Sequence, residues 1–146
     1  MRETLDWAHF EALSGLEMHD LLRLRQDVFV VEQACAFPEI DGRDPEALHL
    51  LARIDGRLVG CLRLFEEDEA MRIGRVVVGP SARGTGLGHR LMRAALARCA
   101  EVAPRRPVLL SAQAHLQNFY AGHGFIVVSP AYLEDDIPHV DMRRAA

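Results

Sequence analysis

The spacing of apolar positions changes period several times along this chain, and each change marks an element. A short opening strand is expected over 5–7, and then Ser14 followed by Glu17 has the spacing of a helix-starting capping box. Leu21, Leu24, Val28 and Val31 recur on one helical face, which predicts a helix over 16–31. Its last turn, Val28-Phe29-Val30-Val31, is poor helix material, because branched side chains lose rotamer freedom against the preceding turn, so burial must hold that end.

Past an irregular stretch through Pro38, Gly42 and Pro45, two strands over 47–54 and 58–65 flank Asp55-Gly56, a favoured two-residue hairpin turn. The acidic run Glu66 to Glu69 is a turn, and 71–78 is an apolar, β-branched strand closed by Gly79-Pro80. Leu87, Leu91, Ala94, Ala95 and Cys99 then repeat at helical spacing up to the stop at Pro104. A short buried strand over 108–111, a brief helix over 116–121, a strand over 125–128 and a last strand over 139–143 complete the chain. The order β-α-β-β-β-α-β-α-β-β predicts an α/β fold, a mixed sheet with helices on its faces.

Composition narrows the class. With 146 residues, 49% of them hydrophobic, the chain makes one domain spanning 1–146 and leaves no room for a second. No apolar run approaches the roughly 20 residues that a membrane-spanning helix needs, and MRETLDWAHF lacks a signal-like order, so the cytoplasm is expected. Cys35, Cys61 and Cys99 are far apart and read as reduced thiols. A net charge of -4 argues against nucleic-acid binding, although all 17 basic residues are arginine. Between Pro80 and Pro107 six arginines face one glutamate, which suits an anion; from Glu32 to Glu46 five acids face Arg43, which suits a cation.

The basic segment contains Arg83-Gly84-Thr85-Gly86-Leu87-Gly88. Glycines without Cβ let backbone N–H groups approach an anion, and the following helix adds its positive end, so phosphate is the natural guest. The letters alone favour a tight turn without a ligand. What favours the phosphate reading is position, after Val76-Val77-Val78 and before Asn118, Tyr120 and Gly124-Phe125.

At these residues the chain resembles the GCN5-related N-acetyltransferase (GNAT) superfamily, over nearly its whole length. Leu24 to Gln33, Ile40-Asp41-Gly42, Ser111 to Tyr120 and Ile137-Pro138-His139 resemble its ElaA-like branch. The resemblance implies acetyl-CoA as cosubstrate, held by Val76, Val77 and Val78 of the central strand, by Arg83, Gly84, Thr85, Gly86, Leu87 and Gly88 of the loop, and by Gln113 and Asn118. It implies direct attack of an amine on the thioester, with Tyr120 serving the departing sulfur. A shorter likeness, Arg25-Gln26-Asp27-Val28-Phe29 and the acids after it, is to acyl-homoserine-lactone synthases. A CoA-binding sensor without chemistry is the rival of a different class.

Many superfamily members carry a glutamate base on the central strand or its neighbour, but 72–78 contains none. An alkyl ammonium of pKa about 10.4 costs roughly 4.6 kcal/mol to deprotonate at pH 7, so a base matters. Glu32 is the first candidate, with His49 and His115 behind it. His49, His115, His123 and His139 have no familiar ligand spacing, so no metal is expected. The expected acceptor is a cationic small-molecule or peptide amine, drawn by the acidic first half. A membrane partner is not expected, and the sequence leaves a homodimer open.

Overall fold

Ser14 ends one element and starts the next. In the computed structural model, which describes residues 2–146, Ser14 Oγ accepts from the Glu17 N–H and the Glu17 carboxylate accepts from the Ser14 N–H, each at 3.0 Å. This capping box separates β1 (Glu3–His9) from α1 (Gly15–Arg25). The helix predicted over 16–31 is α-helical only to Arg25, after which Gln26–Glu32 widens into a π-helical turn. There the Gln33 N–H reaches Val28 O at 3.2 Å and the Cys35 N–H reaches Val30 O at 3.1 Å. The wider turn gives branched Val28, Val30 and Val31 more room than an α-helical one. Burial does hold this end, because Val28 packs with Leu21 against Leu51, Cys61 and Val77.

β2 (Leu48–Ile54) and β3 (Arg57–Glu66) meet at Asp55 and Gly56, whose φ values of 51° and 81° are those a tight two-residue hairpin needs. β4 (Met71–Val78) completes an antiparallel meander with them. Then come α2 (Leu87–Val102), β5 (Val108–Gln113), α3 (Gln117–Ala121), β6 (Ile126–Val127), β7 (Tyr132–Glu134) and β8 (Ile137–Arg144). The sheet order is β1-β2-β3-β4-β5-β8-β6, with β7 also paired to β8. The mixed α/β fold expected from the alternation is therefore present. β7 escaped the pattern reading because its turn, Asp135-Asp136, adopts φ of 50° and 63° without a glycine to announce it.

Two cores lie on opposite faces. Leu50, Leu62, Ile73, Leu110 and Met142 pack under Leu91, Met92 and Ala95 of α2, while Leu51, Cys61 and Val77 pack under α1. Strand alternation explains the split, since neighbours such as Leu50 and Leu51 point to different faces.

Candidate active site

β4 and β5 run parallel but pair only at Met71 with Val108 and Arg72 with Leu109. Beyond that register β5 stays with β8, through to Gln113 opposite His139, and parts from β4. Arg75, with φ of 52°, puts a bulge in β4 where the register to β3 shifts between Cys61 and Arg63. The bulge bends β4 away from β5. The gap opens into a cavity of about 780 Å³, walled by β4, β5, the π-helical turn, α3 and the β7–β8 hairpin.

At one end stands the glycine loop. Gly84 and Gly86 have φ of 77° and 81°, and Gly86 caps α2, whose first intrahelical bond runs from the Arg90 N–H to Gly86 O at 3.1 Å. The amides of Leu87, Gly88 and His89 thus have no earlier carbonyl in the helix to meet. A Cβ on Gly88 would lie 3.3 Å from the Phe119 ring, so only glycine passes there without displacing it. A smaller pocket of about 280 Å³ sits over this turn, lined by Arg83, Gly84, Gly86, Leu87, Gly88 and His89 among others. Free amides, left-handed glycines and an arginine fit a pyrophosphate.

The expected residues distribute unevenly. Val76, Val77, Val78, Arg83, Gly88, Gln113 and Tyr120 line the main cavity. Gln113 Nε2 donates to Gln33 Oε1 at 3.0 Å and ties β5 to the end of the π-helical turn. Thr85 and Asn118 line neither space: Thr85 Oγ1 donates to Ala82 O at 2.6 Å and braces the loop, while Asn118 is exposed and its carbonyl accepts from the Gly122 N–H at 3.1 Å.

Tyr120 is only 7% exposed, and its hydroxyl has no hydrogen bond among the described residues. Burial pushes its pKa up to about 12. Glu32 is engaged elsewhere than expected of a base: Arg83 Nη1 and Nη2 hold its carboxylate at 2.5 and 2.6 Å, and Arg83 Nε donates to Val78 O at 3.2 Å. The Arg83 hydrogen bond keeps Glu32 below the usual carboxylate range, against its partial desolvation. A carboxylate so held takes protons poorly.

The acidic stretch is also spent. Arg25 binds Glu39 at 2.9 Å and Asp44 at 2.8 Å, Arg63 binds Asp41 at 2.5 Å and Asp44 at 3.1 Å, and Arg75 binds Glu39 at 2.5 Å. Those three acids are neutralised within the fold and do not draw a cation. Instead Glu134 and Asp135 bring uncompensated charge to the cavity wall. Neither was singled out in the sequence, because no motif marks them and their turn carries no glycine. His49 lies off the cavity, its Nε2 bonded to Asp44 O at 3.0 Å, and burial lowers its pKa. His115 lines the cavity and is exposed.

Cys35, the cysteine of the lining, donates its thiol to Asp135 O at 3.3 Å, and desolvation with nearby Asp135 and Asp136 raises its pKa. It is poorly placed to be a nucleophile. Among the described residues the three cysteines are unpaired, and no group of three or more His, Cys, Asp or Glu could hold a metal. No helix is long and apolar enough to cross a membrane, among the same residues.

Residues 25–146 match the model of the acetyltransferase (GNAT) domain. The chain belongs to the GNAT family. ElaA of Escherichia coli is 42% identical over 96% of both chains, and its crystal structure superposes with a TM-score of 0.92 over 98% of this chain and 99% of that one. An acyl-CoA N-acyltransferase from Pseudomonas aeruginosa is 48% identical, with a TM-score of 0.90 over 97% of this chain and all of its own. The AHL synthase LasI shares the fold at 16% identity and a TM-score of 0.79. This GNAT domain is therefore an acyltransferase fold with an ElaA-like sequence, and acyl-CoA is the donor its family uses.

Proposed function

We propose that the protein transfers the acetyl group of acetyl-CoA to a primary amine by direct attack, without an acyl-enzyme. The observation that carries this reading is the unbonded hydroxyl of Tyr120, a buried residue on the wall of a cavity that ends at the glycine loop. With the pyrophosphate on the α2 amides and Arg83, the pantetheine arm runs along Val76 to Val78 and places the thioester in the gap between β4 and β5. Edge positions there offer backbone donors and acceptors to the arm's amides, because β5 no longer pairs with β4.

Tyr120 then donates a hydrogen bond to the sulfur. With its pKa near 12 and a thiol near about 8.5, full proton transfer costs roughly 5 kcal/mol, so the hydroxyl stabilises the thiolate without surrendering its proton. The amine enters from the side of Glu134 and Asp135, whose free charge supports a cationic acceptor, either a small molecule or a peptide.

Free-thiol release from acetyl-CoA against a panel of amines is the direct test. Tyr120→Phe is expected to cut kcat by one to two orders of magnitude, roughly the loss of one transition-state donor, while calorimetry finds CoA affinity kept. Unchanged turnover would remove Tyr120 from the reaction. Thermal stabilisation by CoA with no thiol release from any amine would favour a sensor instead.

A further inference from the structure

β8 places His139 where the earlier candidates are not. Val140 and Met142 belong to the core that includes Tyr120, so His139 and Asp141, at alternating positions, project from the opposite face of the sheet. Tyr120 and His139 both line the cavity, and they reach it from the two faces of the parted sheet.

The ring of His139 is held, and its tautomer is set. Nδ1 lies 2.7 Å from Ile137 O, and a carbonyl only accepts, so Nδ1 carries the proton and the neutral ring keeps its lone pair on Nε2. Tyr132 stacks on the ring at 6.1 Å between centroids, and its hydroxyl donates to Asp141 Oδ1 at 2.6 Å. Asp141 also accepts from Ser111 Oγ of β5 at 3.0 Å. Only 9% of His139 is exposed.

Nε2 makes no hydrogen bond among the described residues, yet the Glu134 carboxylate stands 3.4 Å from it. That spacing leaves the lone pair available and places a negative charge where an imidazolium would form. Across the strands His139 pairs with Tyr132 of β7 and uncharged Gln113 of β5, Asp141 of its own strand lies opposite uncharged Ser111, and Asp135 and Asp136 form the turn of the hairpin. β5 and β7 carry no cation, and on β8 Arg143 shares the face of His139 four residues further on.

We infer that His139 is the general base of the transfer, accepting the amine's proton on Nε2, with Glu134 stabilising the imidazolium; this rests on the amine-transfer reading above. The amine nitrogen bonds to the carbonyl carbon, the C–S bond breaks with its electron pair leaving on sulfur, and the nitrogen's proton passes to Nε2, directly or through one water. From there it goes to solvent or to the thiolate.

Two measurements test this. In the wild-type protein, nitrogen-15 NMR of the histidine rings should show the neutral ring of His139 protonated on Nδ1 and bare on Nε2; the reverse tautomer overturns the assignment without reference to activity. In kinetics with acetyl-CoA and either spermidine or lysine ethyl ester, His139→Ala should lose roughly 10²–10⁴-fold in kcat, with the KM for acetyl-CoA nearly kept and turnover partly restored by added imidazole. Loss without imidazole rescue, or turnover within about twofold of wild type, overturns the proposal. Should that variant not fold, Glu134→Gln serves: without the carboxylate 3.4 Å from Nε2 the imidazolium loses its stabilising charge, so kcat at saturating amine should fall roughly tenfold with the KM for acetyl-CoA kept, and an unchanged kcat overturns it. A wild-type protein that binds CoA but acetylates neither amine fails at the amine-transfer reading, before any substitution is made, and this inference falls with it.

Discussion

Arg25 holds two carboxylates through its three guanidinium nitrogens and Arg83 holds one through two, yet the Arg25 side chain is 1% exposed and that of Arg83 42%. Arg25 lies beneath the loop that carries Glu39 and Asp44, and its ligands are shared with Arg63 and Arg75. Arg83 sits at the open end of the cavity with one partner, Glu32. The same chemistry serves two ends. A buried pair repays its desolvation only with every partner in place, so it behaves as part of the skeleton. An exposed pair is weak and screened, so an incoming anion can take its arginine. Arg83 is therefore suited to exchange Glu32 for a pyrophosphate, while the 39–44 acids have no such freedom.

The sharpest way to break that contrast is Arg25→Ala, which strands Glu39 and Asp44 in the interior. It should destabilise the protein by about 3–5 kcal/mol in a denaturant titration, the range for opening a buried ion pair. A midpoint near wild type would show that the network is dispensable.

The acid response comes next. Burial works to raise the pKa of Asp44, but its bonds to Arg25 and Arg63 win and hold it below its ordinary value; the Arg63 bond similarly lowers Asp41. A carboxyl depressed on folding contributes stability that is present above its unfolded pKa and lost as pH falls through the folded one. The stability gap between wild type and Asp44→Asn should thus stay constant at neutral pH and close only below about pH 3.9. A gap already closing near pH 6 would contradict the assignment.

Arg83→Ala should act on binding instead. CoA affinity, measured by calorimetry, should weaken roughly tenfold, as for loss of a charge-assisted contact, while the unfolding midpoint hardly moves. Equal losses of stability and affinity would erase the distinction between the two arginines. The smallest effect is expected of Glu32→Gln, which removes the competitor for Arg83: CoA should bind modestly tighter in low salt, and the gain should fade as salt is added. Weaker binding would mean that Glu32 helps to hold the cofactor.

Elements announced by adjacent residues were legible. Ser14 with Glu17, Asp55-Gly56 and the strand ending at Val78 all appear where their spacing put them. The glycine loop was legible as a tight turn that opens a helix, because that is local backbone geometry. The charge pattern of Glu32 to Glu46 misled for a physical reason: a run of acids reads as an exposed field, but three of these acids meet arginines 14 to 36 residues away. Glu32 was read beside that run, and its actual partner is 51 residues distant.

By itself the sequence determined the capped helix, the hairpin, the glycine turn that opens α2 and the position of Tyr120 one element later, since each depends on residues within a turn or two of chain. The tertiary structure alone decided where β4 leaves β5, which carboxylates arginine silences, and that Nε2 of His139 stands beside Glu134. Those outcomes depend on sheet register and on partners from distant strands, where burial and the competition for hydrogen bonds choose among many possible pairings.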